Sequence, residues 1–171
     1  MMRILSDLKL YNKNSKFPVG MLNIIFYANV IFRASNFFYS IGLFPIAKIL
    51  WVINRLVFSI DIDPKAQIGD GFMIKHGLGL VIGSHAVIGK NFTIYQGVTI
   101  GGNSGKTRQH GHGLLKQPLI GNNVIVSPNS VVIGPIIIGD NCHVGACSLV
   151  SKDVAAGSTV VEYNKILSNR L

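Results

Sequence analysis

Branched aliphatic residues return every six positions along the second two thirds of the chain. They stand at Ile62, Ile68 and Ile74, then at Ile82, Ile88, Ile94 and Ile100, and again at Ile120, Val126, Val132, Ile138, Val144 and Val150. Glycine often follows (Gly69, Gly83, Gly89, Gly101, Gly121, Gly139, Gly145), and Asn91, Asn123, Asn129 and Asn141 lie three places after the aliphatic. Asparagine tolerates the left-handed backbone of a tight turn. One place further on runs a second inward series: Ala66, Ala86, Phe92, Val98, Val124, Ser130, Ile136, Cys142 and Ser148. A unit of this kind is one short strand and one turn. Three units close a triangular coil, and coils stack about 4.8 Å apart, as neighbouring strands do. The pattern predicts a mainly β chain, a parallel β-helix of hexapeptide repeats over residues 60–161, with a tail at 162–171.

Two places break the rhythm. Ile74 and Ile82 are eight apart, and the extra pair falls beside His76-Gly77-Leu78-Gly79. Ile100 and Ile120 are twenty apart, and the polar, basic, Gly-rich stretch 103–118 between them is expected to leave the helix as a long loop. Loops held by a rigid scaffold are where sites concentrate, so both interruptions point to the working surface.

Before Ser59 the pattern changes. Val19–Phe32 and Ile41–Phe58 are apolar, and Phe37, Phe38, Leu43, Ile46, Ile49, Leu50 and Ile53 recur at helical spacing, which predicts two or three amphipathic helices within residues 1–59. Neither stretch reaches the roughly 18–20 uninterrupted apolar residues that crossing a bilayer requires. The favoured reading packs these helices on the rest of the protein or on a neighbouring subunit. The other lays them in a membrane interface, with Arg33, Lys48 and Arg55 toward lipid phosphates.

Composition adds two constraints. Hydrophobic residues make up 49% of the chain and charged residues 13%, so much surface is expected to be buried between subunits or to meet lipid. The net charge is +9; residues 1–60 hold seven Lys/Arg against Asp7 alone, and residues 61–171 hold nine against six acids. A basic, apolar first third suits an anionic membrane surface or acidic ligands, and no nucleic-acid-binding motif is present, so no nucleic acid is expected. Cys142 and Cys147 give no disulfide framework and no secretory signal opens the chain, which makes a reducing cytoplasm the expected compartment. Cys142 is expected inside the coil and Cys147 at a turn.

The stretch from Asp61 to Asn103 resembles the left-handed β-helix acyltransferases, in the serine acetyltransferase branch and its relatives that acetylate sugars of surface polysaccharides. The element D-I-x-P-x-A-x-I-G-x-G-x-x-x-x-H carries the likeness. The resemblance implies a left-handed coil, a homotrimer with its site between subunits, acetyl-CoA as donor and no metal. It also implies His76 as general base and Asp61, fifteen residues earlier, as the group that orients the ring. The chemistry needs such a pair, because an attacking alcohol must lose its proton near neutral pH and a carboxylate fixes the imidazole tautomer. Gly101, Gly102 and Asn103 are expected to offer backbone N–H groups to the thioester, and Lys106, Arg108, Lys116, Lys152 and Lys165 are candidates for the anionic track of CoA.

The sequence departs from the serine acetyltransferase pattern on the acceptor side. Lys75 replaces an Asp before His76, Lys116-Gln117-Pro118 replaces Arg-His-Pro, the loop is longer, and the terminal G-x-P-A-K becomes Glu162-Tyr163-Asn164-Lys165. These changes make a sugar hydroxyl of a surface-glycan precursor the expected acceptor, with serine as the alternative; the basic, apolar first third leaves open a peripheral contact of this cytoplasmic enzyme at the inner membrane. Lys75, His110, His112, Lys116 and Gln117 are the acceptor-side candidates. His110 or His112 could reach the site of His76 or, with it, bind a metal as in carbonic-anhydrase-type trimers; a non-catalytic scaffold is the remaining alternative. His85 and His143 read as surface residues.

Overall fold

The computed structural model describes residues 2–12, 19–111 and 113–161. The repeat folds as a triangular prism of parallel strands. Face A stacks Ile60–Ile62, Leu80–Ile82, Thr99–Gly101, Val131–Ile133 and Leu149–Val150. Face B stacks Gln67–Ile68, Val87–Ile88, Leu119–Ile120 and Ile137–Ile138. Face C stacks Phe72–Ile74, Phe92–Ile94, Ile125–Val126, His143–Val144 and Thr159–Val160. All thirteen periodic aliphatics are buried, and so is every member of the second inward series. Cys142 lies inside and Cys147 is exposed.

Turn chemistry sets the corners. Asn91, Asn123, Asn129 and Asn141 all have positive φ, between 54° and 58°. At the corner joining faces B and C three of them form a ladder, with Asn91 Nδ2 donating to Asn123 Oδ1 and Asn123 Nδ2 to Asn141 Oδ1, each at 3.0 Å. Inside, Phe72 and Phe92 stack with ring centroids 6.0 Å apart.

Among the described residues three α-helices precede the solenoid: α1 (Met2–Asn12), α2 (Ile24–Ser40) and α3 (Phe44–Phe58). The polar start of the chain gave no sign of α1. Asn23 caps α2 by accepting from the N–H of Ile25, Pro45 sits in the first turn of α3, and Ser59 ends α3 in the left-handed conformation. No helix among the described residues is long and apolar enough to cross a membrane.

The helices dock by satisfying the open edge of the first coil, where unpaired backbone groups would otherwise be buried. Asn29 Nδ2 donates to Phe72 O at 2.7 Å, and Asn36 Nδ2 to Pro64 O at 2.8 Å. The Tyr11 hydroxyl donates to Ile74 O at 2.9 Å and accepts from Ile74 N at 3.0 Å, and burial raises its pKa well above the ordinary tyrosine value. Arg33 Nη1 donates to Ile68 O and Nη2 to Gly69 O, both at 2.7 Å. Its Nε and Nη2 reach the two oxygens of buried Asp7 at 2.8 and 3.0 Å.

These contacts correct the membrane reading for Arg33, whose guanidinium is buried on the solenoid and does not face lipid. The outer side of α3 does stay apolar and open, with Ile46, Ile49, Val52, Ile53, Leu56 and Val57 exposed. The stretch 103–118 also differs from the expected loop. It contains an antiparallel hairpin, Arg108–His110 against Gly113–Leu115, standing off the corner between faces A and B.

Candidate active site

His76 stands exposed in the turn that carries the chain from face C to face A. The two extra residues make this corner wide. Gly77 fits against the first coil only without a side chain, since a Cβ there would meet Ile60 Cδ1 at 2.6 Å. Gly79 has φ +70°, and its N–H donates to Ser59 O at 3.0 Å, tying the turn to the end of α3. On the next coil the Tyr95 ring lies 6.3 Å from the imidazole, centroid to centroid, and the buried Gln96 Oε1 on the same corner lacks a hydrogen-bond partner. Lys75, beside His76, is exposed.

Asp61 projects outward from face A between buried Ile60 and Ile62. Its expected bond to His76 is not formed: among the described residues neither a hydrogen bond nor an ion pair joins them. Its carboxylate is instead engaged from α3. Trp51 Nε1 donates to Oδ1 at 2.8 Å, and Arg55 Nε lies 3.7 Å from Oδ2. Lys48 Nζ and Arg55 Cζ sit 3.8 and 4.8 Å from the Trp51 ring centroid. The sequence reading missed this cluster, although Lys48, Trp51 and Arg55 recur at helical spacing and so share one face of α3.

The remaining candidates gather at the next corner, between faces A and B. Asn103, Lys106, Arg108, Gly134, Lys152 and Asp153 line part of a recess of about 410 Å³. Arg108 Nη1 lies 2.9 Å from both oxygens of Asp153, which fastens the hairpin to the corner. Asp153 also accepts from Ile137 N at 2.9 Å, and this backbone bond, helped by Arg108, holds its carboxyl below the usual aspartate value. A Cβ on Gly101 would meet nothing within 4 Å, and one on Gly102 only Lys116 O and Gln117 Cγ at 3.8 and 3.9 Å, so the glycine pair leaves an open wall.

Gln117 turns away from this wall, its Oε1 accepting from His85 N at 3.0 Å. Lys116 lines a separate cavity of about 830 Å³ with Lys65 and His85. His110 is exposed at the hairpin end. His112 and Lys165 lie outside the described residues. As expected, His85 and His143 are exposed; they bond Ser84 and Ser127 respectively.

Within one chain these groups do not converge. Face A, whose strand here is Thr99–Gly101, separates the His76 corner from the hairpin corner. Among the described residues no contact joins His110 to His76.

Comparison with known proteins agrees with this architecture. Residues 118–152 match the bacterial transferase hexapeptide family model, which describes six repeats. A serine acetyltransferase of Synechococcus elongatus is 40% identical over 136 residues, 80% of this chain and 53% of that protein. A serine acetyltransferase of Helicobacter pylori is 37% identical over 147 residues, 86% of this chain and 82% of that protein. The chain belongs to the hexapeptide-repeat transferase family.

Solved structures of the family superpose closely. The Neisseria gonorrhoeae serine acetyltransferase in complex with serine gives a TM-score of 0.82 at 32% identity, covering 94% of this chain and 66% of that one. Soybean serine acetyltransferase complexed with serine gives 0.82 at 31% identity, with 94% and 66% covered. The chain thus spans about half the length of the cyanobacterial relative and two thirds of these structures. The solenoid of this hexapeptide-repeat transferase is a left-handed β-helix, like those of its structural neighbours. The comparisons also correct the expected acceptor. The relatives are serine acetyltransferases, not enzymes of surface polysaccharides, and a match over 86% of the chain outweighs the local changes at Lys75 and Lys116-Gln117 from which a sugar was inferred.

Proposed function

We propose that this chain is an acetyl-CoA-dependent serine O-acetyltransferase, working as a homotrimer. The observation that carries the reading is the likeness to the Helicobacter pylori serine acetyltransferase, which the chain matches over 82% of that protein's length. It fits an exposed histidine held at an interrupted corner of the solenoid.

In this reading the neutral imidazole of His76 takes the proton of the serine hydroxyl as its oxygen attacks the thioester carbon. Donors on the open Gly101-Gly102 wall receive the developing oxyanion. The tetrahedral intermediate collapses with loss of the CoA thiolate, which takes the proton back from the imidazolium, leaving O-acetylserine and CoA. Asp61, fixed on the neighbouring strand by Trp51, supplies negative charge that favours the imidazolium.

The separation of the two corners supports a second copy at the site. A neighbouring subunit brings its hairpin corner to this chain's His76 corner, so that Lys106 and Lys152 hold the anionic end of the donor opposite the base. The outward residues Val87, Leu119 and Ile137 of face B and the outer side of α3 are apolar surface for such contacts. Release of free thiol from acetyl-CoA, measured with and without L-serine, tests the function. Serine-dependent release is expected; folded protein that releases no thiol with serine overturns it.

A further inference from the structure

If the acceptor is L-serine, as proposed above, the site must hold a zwitterion with its hydroxyl toward His76. The side chains that usually do so in the resembling branch are replaced here at positions 75, 116 and 117, and Gln117 is turned onto His85. The cation nearest Asp61 comes instead from α3.

Arg55 is placed as a receiver of anions. Its side chain is 50% exposed. One edge is committed: the guanidinium packs on Trp51 and its Nε approaches Asp61 Oδ2 at 3.7 Å. Nη1 and Nη2 have no acceptor among the described residues. A planar cation anchored along one edge, with its fork free, matches a carboxylate in bidentate geometry. Trp51 is itself fixed by its bond to Asp61 and packed by Lys48, so the platform under Arg55 is rigid. The adjoining Asp61 carboxylate repels a phosphate dianion yet accommodates the ammonium of an amino acid. The cluster stands where Ser59, which closes α3, accepts the N–H of Gly79 from the His76 turn.

We propose that Arg55 binds the carboxylate of the amino-acid acceptor, with Trp51 as its platform. The role rests on the serine reading and is separable from it. Acetyl transfer to L-serine is compared with transfer to serinol, which keeps the amine and hydroxyl but lacks the carboxylate, in wild-type, Arg55→Ala and Arg55→Lys proteins. Arg55→Ala is expected to lower kcat/KM for serine by about ten- to a hundredfold, chiefly through KM. Serinol turnover should fall far less and the KM for acetyl-CoA should stay unchanged, so the preference for serine collapses, and Arg55→Lys should recover part of it.

Equal losses with both acceptors would make Arg55 a positioning residue for Asp61 and overturn the assignment, as would an unmoved KM for serine. Circular dichroism of each variant separates these outcomes from misfolding, and Arg55→Lys supplies the reading if Arg55→Ala does not fold. Wild-type protein that acetylates no serine overturns the serine reading and this one together. Wild-type protein that does, with an unchanged preference in Arg55→Ala, overturns the Arg55 assignment alone.

Discussion

Replacing Asp7 with alanine should loosen the N-terminal helices from the first coil of the solenoid. The carboxylate accepts three short bonds, from Arg33 Nε at 2.8 Å, Arg33 Nη2 at 3.0 Å and Phe72 N at 2.7 Å. Side-chain exposure is 1% for Asp7 and 4% for Arg33, so solvent does not take over when the partner is lost. The variant leaves a buried guanidinium with only the carbonyls of Ile68 and Gly69, which places the loss near 3–5 kcal/mol. For a chain of this length that corresponds to a fall in Tm of roughly 6–20 °C. Replacing both partners, Asp7→Leu with Arg33→Met, removes the stranded charge and leaves three backbone groups without partners, Phe72 N and the carbonyls of Ile68 and Gly69, at about 1–3 kcal/mol each. Thermal unfolding followed by circular dichroism, with protease susceptibility of α2 as a local probe, measures both. An Asp7→Ala protein melting within a degree or two of wild type would refute the reasoning that this pair clamps the helices.

Two further outcomes concern the site. His76→Ala should lose at least about 100-fold in kcat while still binding acetyl-CoA, since only the proton transfer is removed, and Asp61→Asn should lose less; steady-state kinetics beside donor-binding titration checks both. The tie between the hairpin and Asp153 should weaken in acid. The Asp153 carboxyl lies below its ordinary value, because Ile137 N and then Arg108 favour the charged form. Its contribution is therefore complete above the unfolded aspartate value near 4 and is lost as pH falls through the folded value. Hydrogen-exchange protection of the hairpin amides, corrected for the intrinsic rate at each pH, should fall below about pH 4 in wild type, with no such fall in Asp153→Asn.

The solenoid was legible because its period is imposed by geometry: every sixth side chain must enter one narrow core, and those thirteen positions hold only Ile or Val. Asn91, Asn123, Asn129 and Asn141 were legible for a related reason, since the corners require positive φ. The docking of the helices was not. Arg33 and Asp7 are 26 residues apart, and Asn29 bonds a backbone group 43 residues away, so their roles exist only once the open edge of the first coil exists. The hairpin escaped notice because Arg108–His110 is polar and exposed, with none of the alternation that marks a half-buried strand. His76 was singled out by the break in period and by resemblance. The same resemblance paired it with Asp61, whereas the α3 residues Trp51 and Arg55, outside the matching element, hold that carboxylate.

The two breaks in the repeat carry one more piece of information. Counting sixes from Ile62 assigns each aliphatic to a face in turn, so Ile74 closes face C and Ile100 belongs to face A. The first interruption must then fall at the corner between C and A, and the second at the corner between A and B. No single triangular coil brings those corners together. A site that uses both requires a second copy, and that requirement can be tested without locating either substrate. His76→Ala subunits lack the base but keep the hairpin corner. Subunits with Lys106→Glu and Lys152→Glu keep the base and reverse the charge at the other corner. Each homotrimer should be inactive. Mixed and reassembled in equal amounts, random pairing leaves about one interface in four with both corners intact, so about a quarter of wild-type activity should return. A mixture as inactive as its parents would place the whole site within one chain and remove the reason for the neighbour.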